Sequence, residues 1–323
     1  MLIFVVRRAL LSIPVLLIAT FLTFAMVNAT FDPTARIAQS KQAAERRAEM
    51  RHEFGLDKPM IVQYKDWLVN AVHGDFGTSY RNREDVWDSV KPALGYTFQL
   101  IIWGILVSAI FAIGIGVYSA VRQYKPSDYA LTAFAFIGIA MPPFWFALIA
   151  NQFFAINMTK WLGLNEPLLY FVGLHSAGES GFNMDYIKHL ILPVMTLTVQ
   201  IIASWSRFQR AAMLEVLSSD YIRTAKAKGV PRRKVIFKHA LRNALIPIVT
   251  VMALDIGLLV GGLVITEQIY SIPGMGRLFL NGLLNGDAPV VLSWMLIASF
   301  AVIVFNLLAD VMYSWLDPRI RLS

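Results

Sequence analysis

The chain has 323 residues, 57% hydrophobic and only 15% charged, with a formal net charge of +8 and no Cys. A mean hydropathy of +0.57 excludes an ordinary soluble domain, and the lack of Cys excludes disulfides, thiol catalysis and thiolate metal sites together.

The composition is that of an integral membrane protein. A bilayer core about 30 Å thick needs about 20 mostly apolar residues per helix, and six stretches meet that length, at 9–28, 97–121, 129–157, 188–213, 244–268 and 290–315. The fold class is all-α with six spans. In chain order, Arg7 and Arg8 precede the first apolar run. That run is long for a signal-peptide core, and NATFDPTARIAQ offers no small-x-small cleavage site, so the stretch reads as a retained span in a segment 1–28.

Residues 29–96 form a long outer loop in which ten bases balance ten acids. Within it AQSKQAAERRAEMRHEF, Ala38 to Phe54, is rich in helix formers and stops at Gly55, and VQYKDWLVNAV ends near His73 and Gly74. These predict a helical extracytoplasmic cap, either a solvated lid or a docking surface. The core 97–315 follows, with outer loops at Asn157–Asp185 and at Tyr270–Pro289, the latter containing SIPGMG, and an inner loop at 214–243; residues 316–323 are the tail. Lys and Arg set the orientation: Arg7, Arg8, Arg122, Lys125, the 214–243 loop, Arg319 and Arg321 all fall on one side, predicted to be cytoplasmic with both termini.

Chemistry-bearing motifs are missing. GxxxxGK[ST], HExxH, GxSxG and the dinucleotide glycine pattern do not occur, and the five His residues lack metal-ligand spacing. The sequence therefore predicts no catalytic set, no metal site and no cofactor in this chain. Asp255 sits near the middle of the fifth stretch, where a carboxylate is expensive. It is read first as an interior hydrogen-bond anchor and second as part of a transport path. Asn151, Gln152, Gln200 and Asn306 are further polar groups able to line such a path, and the Gly257-xxx-Gly261 pair suits close helix packing.

The inner loop DYIRTAKAKGVPRRKVIFKHALRNALIP, Asp220 to Pro247, carries eight bases against one acid. DYIRTAKAK predicts a short helix ending at Gly229, and Pro231 suits the first turn of a second. On a wheel for 231–242, Ile236, Phe237, Ala240 and Leu241 gather opposite Arg232, Lys238, His239 and Arg242, while Tyr221, Thr224 and Ala225 share a face of the first helix. DNA binding, lipid contact and docking to a cytoplasmic protein are the three uses of such a loop. Docking best explains why it is structured as well as basic.

This loop resembles the cytoplasmic signature loop of ABC-importer permeases of the dipeptide and oligopeptide branch. RRALLSIPVLL, FGLDKPMIVQYKDWLVNAVHGDFGTSY, MPPFWFALI, TEQIYSIPGMGRLF followed by GD, and DVMYSWLDPRIR carry the same resemblance over nearly the whole chain. Ala225 and Gly229 match the Ala and Gly of the family's Glu-Ala-Ala…Gly signature; Arg223 and Thr224 replace the Glu and first Ala, and HALR, His239 to Arg242, stands where Ile-x-Leu-Pro is found, with the Pro only at Pro247. The resemblance implies a type I ABC-importer permease fold in a prokaryotic cytoplasmic membrane. It also implies that Tyr221, Thr224, Ala225, Gly229, Val230, Pro231, Arg232 and Val235 couple the chain to an ATPase. The implied partners are a related second permease, two cytoplasmic ATPase subunits holding ATP and Mg, and an extracytoplasmic substrate-binding protein, with no nucleic acid. Its alternatives are an ion-coupled secondary transporter, an ABC permease for nickel or another small solute, and an intramembrane enzyme.

Overall fold

The computed structural model describes residues 2–31, 45, 48, 49, 52, 55 and 57–316. Among them the only β pairing is an isolated antiparallel bridge, Thr78 to Asp85. Helix α1, Leu2–Thr30, is mostly apolar after Arg7 and Arg8. Helix α2, Met60–Val72, packs the rings of Tyr64 and Trp67 against Phe24, and the Tyr64 hydroxyl donates to the Leu17 carbonyl at 3.1 Å. It thus lies along the outer half of α1. The other expected cap helix, Ala38–Phe54, falls almost wholly outside the described residues.

Helix α3, Val86–Val121, has 36 residues and starts where the Asp85 carboxylate accepts from the Trp87 N–H at 2.8 Å. The helix that carries the second span therefore begins well before residue 97. Charged Asp88 and Lys91 hide its first turns from a hydropathy reading, although Val86, Val90 and Ala93 are buried.

The third span is broken. Helix α4, Pro126–Ala140, and helix α5, Pro143–Trp161, meet at 104°. Met141 precedes Pro142, which precedes Pro143, so steric conflict keeps this stretch out of the α region, and neither proline has an N–H to continue the ladder. Within α5 residues Asn151–Asn157 are π-helical.

Helix α6, Met184–Leu217, gives the scale for the bundle. Asp128 of α4 pairs with Arg210 near one end of α6, whereas Tyr170, just after α5, stacks on His189 near the other. Positions 189 and 210 are about 31 Å apart along a helix, so the broken pair crosses the membrane once and the chain makes six passes.

Helix α7, Asp220–Ala227, leads into α8, Arg232–Val260. Instead of a separate inner helix followed by a span at 244–268, one helix runs from Arg232 and stops at Gly261, because nothing in RRKVIFKHALRNAL terminates it. Gly262 has φ +110° and lies so close to Gly276 that an added Cβ would stand 2.2 Å from that backbone nitrogen. The chain then folds back through α9, Val264–Ile269, and α10, Met275–Asn285, before α11, Ala288–Leu316. Gly257 packs against Val302 and Phe305, and Gly261 against Ala298, which is the close-packing use of the glycine pair.

Arg8 of α1 meets Asp310 of α11 at 2.7 Å. Since Gly261 packs on Ala298 and Gly257 on Val302 and Phe305, α11 runs antiparallel to α8, and Arg8 and Asp310 lie toward the end of the bundle that carries α7.

Candidate coupling site and membrane interior

The turn between α7 and α8 is built by its backbone. Gly229 has φ +73°, its N–H donates to Lys226 O at 3.0 Å, and the Val230 N–H donates to Ala225 O at 3.2 Å. This is the Schellman arrangement, and the Ala225 and Val230 side chains pack into the same cluster, as that motif favours. Pro231 follows, and its carbonyl accepts from the Lys234 and Val235 N–H groups at 2.8 and 3.0 Å.

The turn is rooted in the inner ends of three spans. Ile222 is 0% and Val235 1% exposed, packed with Val117 and Ala120 of α3, Met213 of α6, and Ala240 and Ala244 of α8. The Tyr221 hydroxyl accepts from Asn243 Nδ2 at 2.7 Å. The eight sequence candidates thus divide into two groups. Ala225, Val230 and Val235 face the chain's own core, while Tyr221, Thr224, Gly229, Pro231 and Arg232 are exposed. Phe237, expected on the apolar face, is exposed as well, because the π-helical stretch Val235–Ala240 turns the wheel beneath it. Ile222 is the anchor that sequence reasoning missed; its signal was a lone aliphatic residue between charged ones.

Next to the turn, Asp128 is 2% exposed. Its carboxylate accepts from Arg210 Nε and Nη2, both at 2.8 Å, from the Tyr124 N–H at 3.0 Å and from Ser119 Oγ. This bidentate pair locks α3, α4 and α6 together at their inner ends. The sequence signal was an acid in the first turn after Lys-Pro and a base in the inner third of a span.

The polar residues proposed for a path hold separate places. Gln200 Nε2 donates to the Met141 carbonyl at 3.0 Å, satisfying an acceptor that the break in the third span orphans. Asp255 Oδ2 accepts from Trp205 Nε1 at 2.6 Å, and that indole is fully buried. Asn151 is buried at the start of the π-helical stretch with Oδ1 unpartnered, and Gln152 donates to Asn157 Oδ1 at 3.0 Å. Asn306 lies half-buried on α11. Among the described residues no hydrogen bond joins any two of Asn151, Gln200, Asp255 and Asn306.

The outer end is organised by Glu267, the only acid of the TEQIYSIPGMGRLF segment. It is 0% exposed, and its carboxylate accepts from Thr97 Oγ1 at 2.7 Å, the Arg277 N–H at 2.9 Å and the Leu263 N–H at 3.3 Å. Thr97 Oγ1 in turn accepts from the Met275 N–H at 2.8 Å. Gly274 is the wall of this site, since a Cβ there would stand 2.4 Å from Glu267 Cδ. The outer loops meet a second time at Asp287, which accepts from Ser79 Oγ and from the Tyr80 N–H. Burial, with Asp287 beside it, pushes the Tyr80 phenol up to about 12.

Residues 112–322 match the family model described as binding-protein-dependent transport system inner membrane component, and residues 1–101 match its N-terminal counterpart. The chain is 38% identical to the oligopeptide transport system permease protein AppB of Bacillus subtilis, over 98% of this chain and 99% of the relative. It is 38% identical to the dipeptide transport system permease protein DppB of Escherichia coli K12, over 99% of each. To the oligopeptide transport system permease protein OppB of Mycobacterium tuberculosis the identity is 34%, again over 99% of each.

Proposed function

The chain belongs to the binding-protein-dependent transport system inner membrane component family, and from that premise we propose that it is one permease subunit of an ATP-driven importer of dipeptides or oligopeptides. It contributes half of a translocation path and carries out no bond chemistry. Its partners on this reading are a related second permease, two ATPase subunits that hold ATP and Mg, and a binding protein that delivers peptide from outside. The end bearing α7 and both termini faces the cytoplasm, in keeping with its excess of Lys and Arg.

The observation that carries the proposal is the rooting of the α7–α8 turn. Ile222 and Val235 fix it to α3, α6 and α8, and α8 continues without a joint from the turn across the membrane. A force applied to the exposed side of the turn by closing ATPases therefore reaches three spans at once. The bundle responds as a two-state element whose balance is set by which partner state binds better. On this reading Tyr221, Thr224, Pro231 and Arg232 meet the ATPase, and Gly229 shapes the turn that presents them.

The test is purification of the complex from its native membrane, followed by peptide uptake in reconstituted vesicles. An ATPase should copurify, and uptake should require ATP and persist when an uncoupler collapses the ion gradients. Uptake that follows the ion gradient in the absence of ATP would defeat the proposal.

A further inference from the structure

The free side of the inner turn is cationic. Lys226, Lys228, Arg232, Arg233 and Lys234 are exposed, and among the described residues none of the five has an ion-pair partner. The only acid of the segment, Asp220, is engaged by Arg223 at 3.5 Å. Two bases serve each of the other inner stretches, Arg7 with Arg8 and Arg122 with Lys125, so topology alone does not call for so many here.

Position argues against lipid phosphates as their counter-charge. Tyr118, Tyr124 and Tyr129 are exposed beside the Asp128–Arg210 pair, an aromatic belt that marks the inner membrane interface. Ile248 of α8 packs beside Trp205 of α6, and from that shared level Arg210 lies ~8 Å inward along α6 whereas Arg232, at the start of α8, lies ~24 Å inward. Headgroups occupy only roughly 5–8 Å beyond the hydrocarbon on each side. The frame is also rigid, since the Schellman turn and the buried Ile222 and Val235 fix the cations relative to the spans. A preorganised cationic ridge is suited to a shaped protein surface of opposite charge.

We propose that the partner surface receiving this turn is an acidic groove, with protein carboxylates set against Lys226, Lys228, Arg232 and Arg233. The inference rests on the docking of an ATPase at this turn and adds the chemistry of the surface that accepts it. Such a contact weakens as salt screens it.

The whole complex, isolated in zwitterionic detergent at about 50 and about 500 mM salt, supplies the test, with Lys226→Gln/Lys228→Gln and Arg232→Gln/Arg233→Gln as variants and Lys238→Gln/Arg242→Gln, nearer the membrane, as control. ATPase retained on the wild-type chain should fall on the order of tenfold between the two salts. Each variant should bind on the order of tenfold more weakly at low salt and lose about half of the salt dependence, as expected for two of four exposed charge pairs, while the control behaves as wild type. Salt-insensitive retention that is equal in all four proteins would overturn the acidic groove and leave the docking proposal standing. A variant defect seen in vesicles of anionic lipid but not of zwitterionic lipid would assign the cations to phospholipid and overturn it too. Absence of any ATPase from the wild-type chain at both salts would overturn both readings.

Discussion

Substitution of Gly229 separates backbone geometry from packing. Its φ is +73°, and nothing lies within 4 Å of an added Cβ, so any penalty comes from the left-handed conformation and not from a clash. For an L-residue that conformation costs about 1–2 kcal/mol. Asn tolerates it best, Ala less well, and a β-branched Val least. If the turn yields instead, the bonds from Gly229 to Lys226 and from Val230 to Ala225 are lost, at about 1 kcal/mol each. A penalty near 2 kcal/mol for Val shifts the correctly formed turn about 30-fold. The six spans insert by hydrophobic length and are untouched. Uptake and ATPase retention, normalised to the amount of inserted chain, should therefore fall in the order Gly, Asn, Ala, Val, with Gly229→Val nearest background. Equal activity for Val and Asn would refute the turn argument. So would loss of the Val protein from the membrane.

Four further outcomes follow from the structure. Asp128→Asn, or Arg210→Met alone, should lower the thermal stability of the solubilised protein by about 3–5 kcal/mol, since each strands a charge, whereas Asp128→Leu with Arg210→Met should recover much of it; a double variant no better than the singles would count against the pair as a unit. Asp255→Asn keeps an acceptor for Trp205 Nε1 and should reduce uptake only modestly, and background uptake by a normally assembled variant would move Asp255 onto the path. Glu267→Gln places an amide donor against an N–H that now donates to the carboxylate, which costs about 1–3 kcal/mol and should speed proteolysis within 261–287; cleavage at the wild-type rate would contradict the role assigned to Glu267. Finally, a tag after Ser323 should be protected in intact cells and one placed within 38–53 accessible, and accessibility of both would refute the predicted topology.

Hydrophobic length made the membrane class and the pass count legible without coordinates, because insertion depends on local composition. The turn at Gly229 was legible for the same kind of reason: a Schellman cap is a contact between near neighbours, and its φ follows from the residue type. Met141-Pro142-Pro143 carried its break in plain view, yet only the packing of Asp128 at one end of α6 and Tyr170 at the other decided that the two pieces make one pass. The bidentate Asp128–Arg210 pair joins residues 82 apart, and Glu267 gathers donors from Thr97 to Arg277. No local pattern encodes such contacts. A charge buried in a membrane protein is sustained only by partners that folding brings to it, so which ionisable groups organise the bundle, and which of the loop residues face inward or outward, was decided by the tertiary structure.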